Sequence, residues 1–476
     1  MLSLFTNCWK IPALRRRLLF TLGLLVVCRL AANVPCPGVD PDGLAKMFEE
    51  IENNAGTGKV AGMLNMFTGG ALTQFAVASL GIMPYITASI IFQLIGPLWP
   101  KIEQWKREGE SGFQKLTQWT RYLTLLICVV QGYMLAIAME NPGSLIGSVN
   151  NIQVVMDPGM AFRIQTVIIL TCGTLILMWL GEQITEKGIG QGASLIITIS
   201  IINSIPGAIN MVVERFQMEG EGSLEATHIL ILFALFIGVT AAVTALSMAV
   251  RKLPIQYARA RAGRSSVSAP QTSFFPLKLN YANVMPIIFA STLLAIPPVA
   301  LDWMSRSASG TEGSFAAFMR SSAGFLQPYF NPSNGKYVVV YGLLVLFFCF
   351  FWVANQFNPI KIADDLKRSG AYVPGYRPGD ETASHIDWTM TRVTTAGAVF
   401  LTIIAVLPFI FTLSLGMDFT FTQFFGGASL LIIVGVMLDT LNQMQSHVLT
   451  FGGYENLVKG PRIRNRRGAP ASSLEG

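Results

Sequence analysis

Few side chains in this sequence are spaced for chemistry. Glu182 and Glu186 lie one helical turn apart and Asp364 and Asp365 are adjacent, spacings at which two carboxylates can share acid and base work. Both pairs border apolar runs and sit near lysines, which is the pattern of solvated helix ends and loops. A phosphate-cradling Gly-x-x-x-x-Gly-Lys-Ser/Thr loop, a zinc-binding His-Glu-x-x-His and a Cys-x-x-Cys pair are all absent. His228, His385 and His447 fall at or beyond the ends of apolar stretches. Cys8, Cys28, Cys36, Cys128, Cys172 and Cys349 are scattered without metal-ligand spacing and read as small buried hydrophobes. No catalytic residue, metal or cofactor is therefore expected. If the protein moves something, the energy comes from a partner.

The elements around those residues explain the shortage. Hydrophobic residues make up 52% of 476 positions and charged residues 13%, about half the charged share of a typical soluble domain. Mean hydropathy is +0.50. Apolar stretches of about 20 residues recur, each long enough as a helix to cross a hydrocarbon core of roughly 30 Å. They lack the alternation of barrel strands, and unpaired backbone in lipid is prohibitively costly. The chain reads as an all-α integral membrane protein with ten transmembrane helices, near residues 17–34, 75–98, 118–140, 160–180, 191–212, 227–249, 283–300, 336–356, 391–413 and 424–444.

Placing the N-terminus inside puts most of the 34 basic residues, among them Arg15, Arg16, Arg17, Lys101, Arg251 and Arg377, on the inner side. Both termini are then expected to be cytoplasmic; the expected location is the plasma (inner) membrane, with an organelle's membrane as the alternative. The expected organisation is a cytoplasmic N-terminus 1–16, a first five-helix half 17–212, an external linker 213–226, a second half 227–444 and a basic tail 445–476. The second half carries cytoplasmic loops at 250–282 and 357–390. The apolar run after Arg17 resembles a secretory signal, but nine further spans follow, so the first helix is expected to be retained.

A short phrase occurs twice: Met83-Pro84-Tyr85-Ile86-Thr87-Ala88-Ser89 and Met285-Pro286-Ile287-Ile288-Phe289-Ala290-Ser291. The copies fall in spans two and seven, which run in opposite directions, as in two inverted five-helix halves. No span has a central carboxylate or histidine, which weakens the alternative of a small-solute secondary transporter. Residues 63–72 are too short to cross the membrane and too apolar for a solvated loop, so they read as re-entrant or as an interfacial amphipathic helix. The two long basic inner loops suit a large anionic partner.

Several motifs carry a specific resemblance. They include Gly69-Gly70-Ala71-Leu72, Leu80-Gly81-Ile82-Met83-Pro84-Tyr85-Ile86-Thr87-Ala88-Ser89, Gly109-Glu110-Ser111-Gly112 and Thr120-Arg121-Tyr122. Further on come Trp179-Leu180-Gly181-Glu182-Gln183-Ile184-Thr185-Glu186-Lys187-Gly188, Pro276-Leu277-Lys278, Phe357-Asn358-Pro359, Ala363-Asp364-Asp365-Leu366-Lys367 and Gly426-Gly427-Ala428-Ser429-Leu430-Leu431-Ile432. In this order, over nearly the whole chain, they resemble the SecY family of protein-conducting channel subunits.

That resemblance implies an hourglass of two halves around a central pore, conducting unfolded secretory polypeptides and releasing apolar segments sideways into lipid. It places a pore ring at Ile82, Ile86, Ala193, Ile197, Ile288 and Ile432. Ala193 stands where a larger aliphatic residue is common, which leaves the ring's size and completeness open on that side. The plug would span residues 61–74, with Leu64, Asn65, Met66, Phe67, Thr68, Gly69 and Gly70 at its centre. Gln93 and Gln191 resemble polar positions of a lateral gate, where a direct or water-mediated contact between them is expected. Arg251, Arg259 and Arg377 would dock cytoplasmic partners. The implied partners are SecE-like and SecG-like membrane subunits, a SecA-like motor ATPase, the ribosome, the unfolded preprotein and the lipid bilayer.

Overall fold

The structure is a computed structural model describing residues 11–53, 62, 65–96, 99–142, 154–217, 226–257, 272–307, 314–331, 334–415 and 427–458. Ten helical segments follow the order of the ten expected spans: α1 Pro12–Ala31, α3 Met83–Ile95, α5 Glu110–Glu140, α6 Met160–Lys187, α7 Gly192–Gln217, α8 Ala226–Met248, α9 Met285–Ser307, α11 Gly335–Gln356, α13 Asp380–Leu415 and α14 Ala428–Val458. Between them lie α2 Pro41–Asn53, α4 Pro100–Arg107, α10 Ser314–Phe330 and α12 Pro359–Arg368. Segments within α5, α6, α8, α13 and α14, and one running from α11 into α12, are long and apolar enough to cross a membrane. Shorter apolar helices occupy α3 and parts of α7 and α9.

The expected second span, 75–98, differs most from what is seen. Its helix covers only the 13 residues of α3, roughly 20 Å of rise and too little to cross alone. Residues 71–82 before it form turns, with Phe75 at φ 44° and fully buried. Pro84 fits where the helix begins, because proline is favoured in the first turn, where its missing N–H costs nothing. The second copy of the phrase behaves the same way, with Met285 opening α9 and Pro286 second.

Two Arg–Glu pairs clamp α5 and α6 side by side. Near one end Arg121 grips Glu182 with both nitrogens, Nε at 3.0 Å and Nη2 at 2.6 Å. Near the other Arg163 holds Glu140 at 2.7 Å, and Glu140 also accepts the Gly159 N–H at 3.0 Å. Such two-pronged, charge-assisted contacts fix geometry as well as energy. The same two Arg–Glu pairs place α5 and α6 antiparallel.

Glycine sets how closely α7 approaches α6. A Cβ on Gly192 would overlap the Gly181 carbonyl, and the Gly192 N–H is taken by Thr185 Oγ1 at 2.9 Å. The two halves meet where α3 touches α9 and, more broadly, where α7 packs on α14. There the Gly190 N–H donates to Gln443 Oε1 at 2.9 Å.

A three-stranded antiparallel sheet, absent from the all-helical reading, joins the two basic loops. Its order is β2 (Thr272–Lys278), β1 (Val250–Tyr257) and β3 (Ala371–Tyr372). Leu253, Ile255 and Leu277 are buried while Arg251 and Lys252 are exposed, the one-sided burial of a sheet lying on a helical body. Pro254 is tolerated in the middle strand because β3 pairs only with Gln256 and Tyr257, leaving the edge at Pro254 without a neighbour.

Gly192→Ala is expected to destabilise the fold by about 1–3 kcal/mol, because backbone rather than a flexible side chain blocks the new methyl. Gly207→Ala, in the same helix with open space around it, is the control and should be neutral or slightly stabilising. Thermal unfolding of the two variants in detergent measures the difference.

Candidate functional site

A cavity of about 310 Å³ opens between the halves. Its lining brings together Ile82 and Ile86 from the first repeat, Ala193 and Ile197 from α7, and Ile288 from the second repeat. Five of the six expected ring residues thus converge. Ile432 does not line this cavity; it is fully buried in the surrounding apolar core. Ile82, Ile197 and Ile288 are all 3% exposed or less, so the side chains facing the cavity floor are already packed against protein. Arg121, Glu182 and Glu186 lie on the same cavity wall. The Arg121 pair occupies Glu182, while Glu186 is exposed.

Beyond this floor lies a second space of about 20 Å³, lined by Arg29, Phe67, Thr68, Ile82 and Ser200 among others. It has room for about one water. Ile82 lines both spaces, so one side chain forms part of the partition between them.

The expected plug residues bear on that partition. Leu64 lies outside the described residues. Asn65–Thr68 form one helical turn, closed by Gly69 N–H to Met66 O at 3.2 Å and Gly70 N–H to Asn65 O at 3.0 Å. Met66 and Phe67 are buried in the same apolar cluster as Ile82, Ile86, Ile197 and Ile288. The carbonyl of Gly69 receives Arg29 Nη2 at 2.7 Å and Asn203 Nδ2 at 3.2 Å. Neither donor was singled out by the sequence as part of the site. Arg29 was legible as a cation inside an apolar run, but its direction was not.

Gln93 and Gln191 both line the large cavity without bonding each other. Gln93 Nε2 donates to Ser89 Oγ at 3.2 Å, and Gln191 Oε1 accepts from Ser194 Oγ at 3.0 Å. Each amide has a serine about one turn away on its own chain segment as a hydrogen-bond partner that does not span the gap. On the basic loops, Arg251 is exposed on β1, and Arg259 lies outside the described residues. Arg377 projects from a turn whose backbone is held on both sides. Its N–H donates to Glu381 Oε2 at 3.1 Å and its carbonyl accepts Thr382 Oγ1 at 2.7 Å.

The SecY family model matches residues 76–441. The chain belongs to the SecY family. A protein translocase subunit SecY from Streptomyces scabiei is 39% identical over 462 residues, covering 96% of this chain and 100% of that one. Among solved structures, a protein-conducting channel superposes with a TM-score of 0.62 at 16% identity over 94% of each chain. A SecY protein whose plug domain stabilises the closed state of its channel gives 0.58 at 17% identity, again over 94% of each. This SecY-family chain is therefore a multi-pass membrane protein with the fold of protein-conducting channels.

Because Gln93 and Gln191 each bond a serine on their own segment and not each other, Gln93→Leu and Gln191→Leu should be additive within about 0.5 kcal/mol, as independent sites are. A double-mutant cycle on unfolding free energy checks this; a larger coupling would reveal a direct contact between them.

Proposed function

We propose that this SecY-family protein is the passive, gated pore through which a translocase threads unfolded polypeptides. The observation that carries this reading is the convergence of branched aliphatic side chains from both halves on one cavity floor. A narrow apolar constriction resists wetting and so resists ions, yet it offers no hydrogen bond that would hold one sequence over another. A solute transporter needs the opposite, a set of polar ligands at the midplane. In this reading Ile82, Ile86, Ala193, Ile197 and Ile288 form the constriction, Ile432 joins it as α14 moves, and residues 61–74 are the plug. The small side chain of Ala193 leaves the ring widest at α7.

The lateral gate is assigned to the α3–α9 seam, with Gln93 and Gln191 on its inner side. The protein performs no chemistry of its own. It sits in the plasma membrane with both termini cytoplasmic, held by SecE-like and SecG-like subunits. A SecA-like motor or a ribosome docks on the face carrying Arg251, Arg259 and Arg377 and supplies the force.

A stalled secretory chain should crosslink to cysteines placed at Ile82, Ile86, Ile197, Ile288 and Ile432, and not to one at the lipid-facing Leu126. Absence of crosslinks at the five sites would defeat the assignment. Arg377→Glu should abolish motor-driven export, at least tenfold, while leaving the amount of assembled complex unchanged. Export assays on inverted membrane vesicles, beside quantitation of the complex, read both.

A further inference from the structure

Arg29 is placed as few arginines in membrane helices are. It lies near the end of α1, half-buried, and its guanidinium turns inward to the 20 Å³ space next to the plug. Among the described residues it has no carboxylate partner. Its hydrogen bond goes instead to a backbone carbonyl, that of Gly69, at 2.7 Å. An arginine this near a helix end could snorkel outward, yet this one turns inward without a counter-ion, a placement usually tied to function. The acceptor is equally unusual: Gly69 is buried, outside any regular helix, and takes a second donor, Asn203 of α7, at 3.2 Å. One carbonyl is thus held by two side chains from two different helices, 40 and 134 residues away in sequence.

The backbone around Gly69 is shaped for this grip. Its φ is +69°, and a Cβ there would meet Ser200 Cα at 2.9 Å and Arg29 Nη1 at 2.7 Å. Only a residue without a side chain lets the plug turn approach α7 this closely while aiming its carbonyl at both donors. Both α1 and α7 belong to the first half, so the grip spans no boundary between the halves. Parting α3 from α9 leaves it intact unless α1 and α7 also shift against each other.

We propose that Arg29 and Asn203 are positioning residues that latch the plug closed through the Gly69 carbonyl. The proposal rests on reading residues 61–74 as the plug and names what holds it. The latch is charge-assisted on one side and neutral on the other, so Arg29 supplies most of the hold. It recognises a backbone oxygen, so it tolerates changes in the plug's side chains but not at Gly69. Opening frees the carbonyl and leaves the guanidinium facing the emptied funnel, where water can take over its hydrogen bonds.

The test measures resting ion conductance of the assembled translocase complex in planar bilayers, without substrate. The variants are Arg29→Met, Arg29→Lys, Asn203→Ala, Gly69→Ala and a deletion of residues 63–70, with Arg29→Met also placed in the deletion background. Losing a charge-assisted bond to a buried carbonyl should raise the population with a displaced plug by roughly 10- to 100-fold. Resting conductance should rise by a similar factor in Arg29→Met. Gly69→Ala should behave likewise, Asn203→Ala more weakly, and Arg29→Lys should recover part of the seal. In the deletion background Arg29→Met should add nothing, an epistasis that a merely structural role for Arg29 would not produce. If the deletion leaks but Arg29→Met and Gly69→Ala stay tight, the latch is refuted and the plug stands. A leak from Arg29→Met that adds to the deletion also refutes it. A tight deletion variant overturns the plug reading itself. Should Arg29→Met fail to assemble, Gly69→Ala and Asn203→Ala decide the outcome on the same scale.

Discussion

Backbone amides have no water to bond at membrane depth, and residues 71–82 are the place where this SecY-family fold meets that constraint without a helix. The segment solves it by borrowing partners. Val77 N–H reaches Val34 O at 2.8 Å, and Phe75 O accepts Cys36 N–H at 2.9 Å. Ser79 Oγ, fully enclosed, contacts the carbonyls of Ala71 and Ala76 at 2.9 and 2.6 Å. The plug turn hangs from the start of this segment and Ile82 stands at its end. Were the segment helical, α3 would be long enough to span the membrane.

The two halves share a plan but are held by different forces. In the first half, α5 and α6 are fastened by paired charges near their ends. In the second, α9, α11 and α13 pack through aromatic rings: Phe289 against Phe348 and Trp352, and Tyr337 and Tyr341 against Phe409, with centroids 5.2–5.8 Å apart. Ring contacts of this kind are less directional than a two-pronged Arg–Glu grip and tolerate sliding. Phe289 and Trp352 also line the large cavity. The aromatic wall therefore borders the seam assigned to the gate.

Helical class, the order of the segments and the duplicated Met-Pro start were legible because membrane thickness and proline act locally on the chain. The convergence of Ile86 and Ile288 followed from the repeat together with the family likeness. What was not legible depends on encounters between distant residues. The sheet joining the loops pairs Val250–Tyr257 with strands that begin 15 and 114 positions beyond its end, and its basic residues masked the alternation of Leu253 and Ile255. The cap on α12, Asn358 Oδ1 accepting Lys361 N–H at 3.1 Å, was present in the sequence as Asn-Pro. Read as a turn, the same dipeptide hides a helix start. The direct Gln93–Gln191 contact failed for a similar reason: a serine about one turn away is an easier partner than an amide across a gap.

The partition at Ile82 has an electrical consequence. In the proposed open state, with the plug displaced, aqueous space would reach both faces of a wall about one side chain thick, and most of the transmembrane voltage would fall across that wall. Spread over a layer of roughly 30 Å, a potential gives a modest gradient; compressed into about 5 Å, it gives a gradient ~6 times steeper. Each charged residue of a threading chain then gains or loses its whole electrical work, about 2.3 kcal/mol per 100 mV, in a single step past the isoleucines. On that reading the field would act on acidic and basic residues one at a time, with opposite sign.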